Sequence, residues 1–227
     1  MKRFTVCMLI VLLALAFASC GKETEETASP ADNQRQEQQE TKTKKDESVL
    51  IAYFSRVGNV DHEEDVDAAS SASVQVIGGK HEGNTKLIAE MIEDETGGDL
   101  FLIETEKKYP TDYEELETLA QEEGSRGERP ALATHVENME RYDTIYLGFP
   151  NWWYDMPMAV YSFLEEYDLQ GKTIIPFCTS GGSGFSNAME EIRRLQPDAE
   201  VLEGLPIYQD DVRDSAGAVK AWLSSLN

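Results

Sequence analysis

The chain has 227 residues, 43 of them Asp or Glu against 20 Lys or Arg, for a formal charge of −23. That surplus repels phosphate backbones instead of releasing their counterions, which excludes nucleic acid as a partner and favours cationic partners or simple solubility. Three cysteines, of which only Cys178 lies past the N-terminal region, exclude an intradomain disulfide and any paired-cysteine metal or redox motif, so redox chemistry has to come from a bound cofactor.

Lys2-Arg3 precede an apolar stretch from Val6 to Phe17, a signal-peptide pattern too short to span a bilayer. It ends Phe17-Ala18-Ser19-Cys20-Gly21. This resembles a bacterial lipoprotein signal, in which a small residue precedes a cysteine that is lipidated after cleavage. The resemblance implies a leader over residues 1–19 and a lipid on Cys20. Residues 21–47 are Glu, Gln, Lys and Thr with almost no apolar side chains. They cannot bury enough surface to offset chain entropy, so 20–47 reads as a disordered tether with an end-to-end distance of about 30 Å. The expected location is the bacterial cell membrane, with the domain on its extracytoplasmic side and the lipid as its one membrane contact.

From Ser48 to Asn227 the chain alternates strand and helix as one domain. Short β-branched and aromatic runs predict buried strands over 49–54, 100–103, 144–149 and 173–178, and a strand broken by glycine and proline over Val201–Ile207. Between them, apolar stripes predict helices over 85–96, 112–123, 157–167, 184–195 and 215–226, with Gly97-Gly98 and Gly124 as stops for the first two. Such alternation implies a parallel α/β sheet with right-handed crossovers and helices on both faces. One segment departs from it. About 30 residues, Ser55 to Asn84, separate the first strand from its helix, where a βα loop needs about two to six. Residues 58–82 therefore read as an insertion, acidic over Asp61–Asp67 and rich in Ala and Ser further on.

Three strands run directly into polar or glycine-rich loops: Ser55-Arg56-Val57-Gly58-Asn59, Pro150-Asn151-Trp152-Trp153-Tyr154-Asp155 and Thr179-Ser180-Gly181-Gly182-Ser183-Gly184. Ligands of open parallel sheets bind outside the carboxyl ends of the strands, where the winding reverses. Three such loops can converge on one crevice and offer a phosphate seat, an aromatic wall and a run of backbone donors. With the insertion removed, Ser55-Arg56-Val57 runs into Gly83-Asn84-Thr85 at a helix start, where hydroxyls and backbone N–H groups attract an anion. Adjacent Trp152 and Trp153 cannot both face the core, so at least one ring is expected in the crevice, where rings stack on flat heterocycles.

The spliced first loop, together with Gly148-Phe149-Pro150-Asn151-Trp152-Trp153 and Pro176-Phe177-Cys178-Thr179, resembles the flavodoxin-like proteins. The resemblance implies a three-layer α/β sandwich with a five-stranded parallel sheet of order 2-1-3-4-5 and FMN at its switch point. It assigns Ser55, Arg56, Val57, Asn84 and Thr85 to the phosphate, with Asn59 as an alternative to Asn84. Val57 stands where the family commonly has Ser or Thr, so only its backbone contributes. Trp152 and Trp153 become flavin contacts, Pro150, Asn151 and Tyr154 shape their turn, and Thr179, Ser180, Gly181, Gly182 and Gly184 bond the pyrimidine edge.

Other cofactors lack their signatures. No G-x-G-x-x-G follows the first strand. Gly78-Gly79-Lys80-His81 lacks the Walker spacing, and 61–67 lacks the EF-hand pattern. His62, His81 and His135 share no ligand spacing, so no metal is assigned. The implied function is FMN-dependent electron transfer at the cell envelope, through basic docking surfaces of redox partner proteins, with tuning groups and no catalytic acid. The alternatives are an NAD(P)H- or quinone-dependent flavin reductase acting on small molecules, and a binding module without redox activity.

Overall fold

A computed structural model of the chain describes residues 48–67 and 72–226. The leader, Cys20 and the tether lie outside the described residues. The elements are β1 (Val49–Tyr53), β2 (Val74–Ile77), β3 (Lys80–Gly83), α1 (Asn84–Thr96), β4 (Asp99–Leu102), α2 (Tyr113–Arg126), β5 (Thr144–Pro150), α3 (Met158–Glu166), β6 (Thr173–Ser180), α4 (Ala188–Leu195), β7 (Glu200–Val201), β8 (Leu205–Tyr208) and α5 (Ala216–Ser225).

The main sheet runs β4-β1-β5-β6-β7, with β8 also on β6, and every pairing in it is parallel. Counted along the chain, that is the expected order 2-1-3-4-5, with the fifth strand split in two. The split falls at Gly204, which is squeezed against β6: a Cβ there would lie 2.3 Å from the Pro176 carbonyl oxygen and 2.5 Å from the Phe185 ring.

Period-two alternation divides the strand side chains between two cores. Leu50, Ala52, Ile145, Leu147, Phe149 and Cys178 pack with Leu116 of α2, Phe163 of α3 and Ile192 of α4. Ile51, Tyr53, Tyr146, Ile175 and Phe177 pack with Ile88 and Ile92 of α1 and Val219 of α5. Each fully buried Ile, Leu or Phe contributes about 1.5–3 kcal/mol, which fixes the sheet as a rigid frame for the loops at its carboxyl edge.

Two helix boundaries differ from the sequence reading by more than one residue, and so does the first connection. α2 runs through Gly124 and stops at Gly127, whose left-handed φ of 61° closes the helix, while Asp112 caps its start by accepting from the Glu115 N–H at 2.9 Å. α4 begins at Ala188 because Gly184 and Ser186 are left-handed, at 59° and 47°. The β1–α1 connection is partly ordered as an antiparallel hairpin, β2 on β3. Gly78 and Gly79, with φ of 59° and 82°, make its two-residue turn, a conformation matching the twist of the flanking strands.

Candidate functional site

The carboxyl ends of β1, β5 and β6 carry the three loops. At β1, Ser55 is buried and its hydroxyl oxygen has no hydrogen-bond partner. It faces the N-cap of α1, where a Cβ on Gly83 would lie only 2.0 Å from it. Gly83 has an ordinary extended conformation, so the glycine is required by the close approach. Asn84 and Thr85, the first residues of α1, are buried beside it. The Thr85 hydroxyl contacts the Thr179 hydroxyl of β6 at 3.2 Å, joining the first and third loops. A buried hydroxyl without a partner, next to a helix N-terminus, is a cradle for an anion.

Two residues of the first loop have other work. Arg56 is fully buried and donates to the carbonyl oxygens of Asp67 at 2.8 Å, Thr111 and Pro110. Its two terminal nitrogens are committed to those carbonyls, which tie the β1–α1 connection to the β4–α2 connection. Its Nε, also buried, has no partner, so the backbone and that one N–H are left for a phosphate. Asn59 is equally committed. Its amide nitrogen donates to Ser55 and Ile103 carbonyls at 2.9 and 3.0 Å, and its oxygen accepts from the N–H and hydroxyl of Thr105 at 2.8 and 3.0 Å. It is the clasp that turns the chain after β1, which removes it as an alternative to Asn84. Val57 is buried against the core.

At β5, Pro150 ends the strand, and the Asn151 N–H donates to the Thr179 carbonyl at 2.8 Å. The Asn151 side chain donates to the Gly184 carbonyl at 2.9 Å, tying the second loop to the third. Trp152 and Asp155 exchange backbone hydrogen bonds at 2.8 and 3.0 Å. Trp153 and Tyr154 between them are left-handed, with φ of 52° and 64°. Two adjacent aromatic residues in that region carry strain of about 1–2 kcal/mol each, and the turn holds both rings outward, 46 % and 67 % exposed. The Trp153 indole N–H donates to the Glu117 carbonyl of α2 at 3.0 Å. Trp152 instead packs edge-on against Phe54 and Tyr109, with centroids at 5.3 and 5.4 Å, and its indole N–H donates to the Ser73 hydroxyl at 3.0 Å.

At β6, the Ser180 hydroxyl accepts from the N–H groups of Gly182 and Gly184 at 3.3 and 3.0 Å, curling the loop. Gly182 and Gly184 are left-handed, at 118° and 59°. A cavity of about 540 Å³ opens between this loop and the aromatic turn, with Trp152, Trp153 and Tyr154 on one side and Gly181 and Gly182 on the other. Tyr113, Leu116 and Glu117 of α2 form a further wall, and Ala72 of the β1–α1 connection lines it as well. Sequence reasoning missed these residues. Tyr113 and Leu116 fall on the apolar side of the helix predicted over 112–123, which marked them for packing, and nothing marked Ala72.

A second cavity of about 410 Å³ lies beyond Trp152 and Trp153, with Glu123, Asp155 and Tyr161 in its lining. Burial raises the Glu123 carboxyl, which accepts from the Tyr109 hydroxyl at 3.1 Å. Burial also raises Asp155, despite its hydrogen bonds from the Met156 N–H and the Tyr161 hydroxyl. Cys178 is buried, and burial pushes its thiol up to about 12, so it is a structural thiol. His62, Glu64 and Asp65 bring ligand atoms within 4.8 Å of one another, all three exposed. Nothing further distinguishes them from an ordinary acidic surface. Among the described residues no helix is long and apolar enough to cross a membrane.

A doubly wound parallel sheet of this order, with an anion cradle, an aromatic turn and a glycine loop at its switch point, defines a flavodoxin-like fold. The family model described as flavodoxin matches residues 73–226, and the chain belongs to the flavodoxin family. A candidate flavoprotein of Bacteroides uniformis is 30 % identical, with a TM-score of 0.60 over 78 % of this chain and 98 % of that one. A candidate flavoprotein of Bacteroides eggerthii is 28 % identical, with a TM-score of 0.60 over 78 % of this chain and 96 % of that one. The flavoprotein of Lactobacillus acidophilus, solved in complex with FMN, is 18 % identical and shares the fold, with a TM-score of 0.52 over 75 % of this chain and 99 % of that one. No curated protein sequence matches the chain.

Proposed function

We propose that the domain binds FMN at the carboxyl edge of its sheet and transfers electrons as a flavoprotein of the bacterial cell envelope. The observation that carries this reading is the unpartnered buried hydroxyl of Ser55 against the N-terminus of α1, a seat for the cofactor phosphate. Asn84, Thr85 and Thr179 complete that seat. The rings of Trp153 and Tyr154 are held by a strained turn across a cavity whose volume suits a flat ring system. The backbone of Thr179 to Gly184 faces its polar edge. When bound, FMN supplies one- or two-electron chemistry. The chain orients the ring, shields it and sets the local charge. A net charge of −23 disfavours further negative charge on the ring and lowers its potential, with screening by salt.

The absorption spectrum of the purified protein tests the reading. A flavin band is expected, and its absence even after reconstitution with FMN would remove both redox readings. The second reading, a reductase acting on quinones or NAD(P)H, is favoured by the cavity beside the aromatic turn. NAD(P)H oxidation with quinone acceptors well above the rate of free FMN identifies a reductase. Reduction only through a partner protein identifies a carrier, one whose partners present basic surfaces.

The location belongs to the same proposal. Its support is the leader pattern and Cys20, which put a lipid-anchored domain on the outer side of the inner membrane, spaced by residues 20–47. Cys20→Ser is expected to release the protein from membrane fractions, and persistence there would rule out the lipid.

A further inference from the structure

We propose that Ser73 is a positioning residue by which the chain discriminates FMN from riboflavin beyond the phosphate contacts themselves: it links the phosphate seat to the ring wall, and an arriving phosphate undoes the link. The inference rests on the FMN reading for the identity of the flavin, and on the geometry of Ser73 for the rest.

Ser73 is 2 % exposed and makes one contact to each end of the site. Its carbonyl accepts the N–H of Asn84, the first residue of α1, at 2.9 Å. Its hydroxyl accepts the indole N–H of Trp152 at 3.0 Å. Its neighbour Ala72 uses its carbonyl on the Thr179 hydroxyl at 2.9 Å. Two of the donors suited to a phosphate are therefore engaged by neutral carbonyls of residues 72 and 73. The Ser55 hydroxyl, beside them, has no partner.

A phosphate dianion displaces a carbonyl from such donors. Its charge-assisted hydrogen bonds are roughly twice as strong as neutral ones, and the helix N-terminus adds a field that a carbonyl exploits only weakly. The segment pivots and does not leave. Val74 is anchored in the core at 1 % exposure. Gln75 donates to the Asn84 side chain at 2.8 Å and accepts from Arg213. Movement of Ser73 about that anchor withdraws its hydroxyl from Trp152. The indole, held edge-on by Phe54 and Tyr109, is then free to settle against the ring. Riboflavin brings no phosphate, leaves Ser73 in place, and meets a wall still tied back.

The test uses the flavin-free full-length chain and Ser73→Ala. With uniform ¹⁵N labelling, inorganic phosphate alone should shift the Trp152 indole resonance in step with the Asn84 and Thr85 amides, leaving the Trp222 indole unmoved. In Ser73→Ala the amides still respond and the Trp152 indole does not. In flavin titrations, Ser73→Ala should tighten riboflavin more than FMN, lowering the FMN-to-riboflavin affinity ratio by about fivefold, the worth of one net hydrogen bond. Amide shifts with a silent Trp152 indole, no amide shift at all, or equal weakening of both flavins in the variant would each overturn the link. Failure of both flavins to bind while phosphate still moves the indole would instead overturn the FMN reading and leave the link standing.

Discussion

The phosphate end and the ring end of the site are built in opposite ways. Around α1 most polar groups find partners within the chain, the Ser55 hydroxyl and the Arg56 Nε excepted: Asn84 with Ser73 and Gln75, Thr179 with Ala72, Asn59 and the terminal nitrogens of Arg56 with distant carbonyls. At the β5 turn, two aromatic rings stand in solvent on left-handed backbone. One end is satisfied and must rearrange to bind. The other is strained and already open. The strain at the turn is sustained by the sheet beneath it, because the Trp152–Asp155 bonds and the Asn151–Gly184 tie leave it no relaxed alternative.

The comparison breaks most visibly at Arg56. Arg56→Met should cost about 3 kcal/mol in urea unfolding, because the buried side chain gives up its charge-assisted hydrogen bonds to the Thr111 and Asp67 carbonyls. A loss confined to FMN binding, with stability intact, would return its guanidinium to the phosphate. The two tryptophans sharpen the contrast within the turn. Trp152→Ala should cost about 2 kcal/mol of stability, since the indole packs on Phe54 and Tyr109. Trp153→Ala should leave stability within about 0.5 kcal/mol and weaken FMN and riboflavin alike by about tenfold through lost stacking.

Gly83→Ala addresses the phosphate end alone. Its Cβ lands on the Ser55 hydroxyl, so FMN should weaken by about tenfold, the effect of displacing one charge-assisted donor, while riboflavin binding stays unchanged. Equal weakening of both flavins, read by fluorescence quenching, would place Ser55 outside the phosphate seat. The smallest effect concerns Glu123, whose folded pKa is raised above its ordinary value of 4.5 by burial. A raised acid binds more protons folded than unfolded, so stability is present below 4.5 and declines as pH rises toward the folded value. Glu123→Gln should flatten part of that decline in urea unfolding measured between pH 4 and 7. The remainder belongs to Asp155, shifted in the same direction. A steeper decline in the variant would contradict the assignment.

Strands and helices were legible because they are written in short apolar runs and period-3.6 stripes. The order of the strands was not, and entered through the resemblance alone. The hairpin over 74–83 passed for irregular chain, although Gly78-Gly79 between two short runs is a hairpin signal. The low apolar content of Lys80–Gly83 hid the second strand. That Ser55, Asn84 and Thr85 lie together was legible because a helix start advertises its anion affinity locally. The real employment of Arg56 and Asn59 was hidden, since their partners, Thr111 and Ile103, lie far along the chain. Ser73 carried no signal, because its contacts to Trp152 and Asn84 exist only in the folded chain.

Among the described residues the chain holds a single sulfhydryl, at Cys178, sealed inside β6 and almost impossible to ionise at neutral pH. Buried and un-ionised, such a group neither crosslinks molecules nor consumes peroxide. It becomes reactive only when β6 parts from its neighbours. Alkylation at that position therefore serves as a built-in clock for opening of the whole sheet, unaffected by breathing of the loops around the cofactor edge.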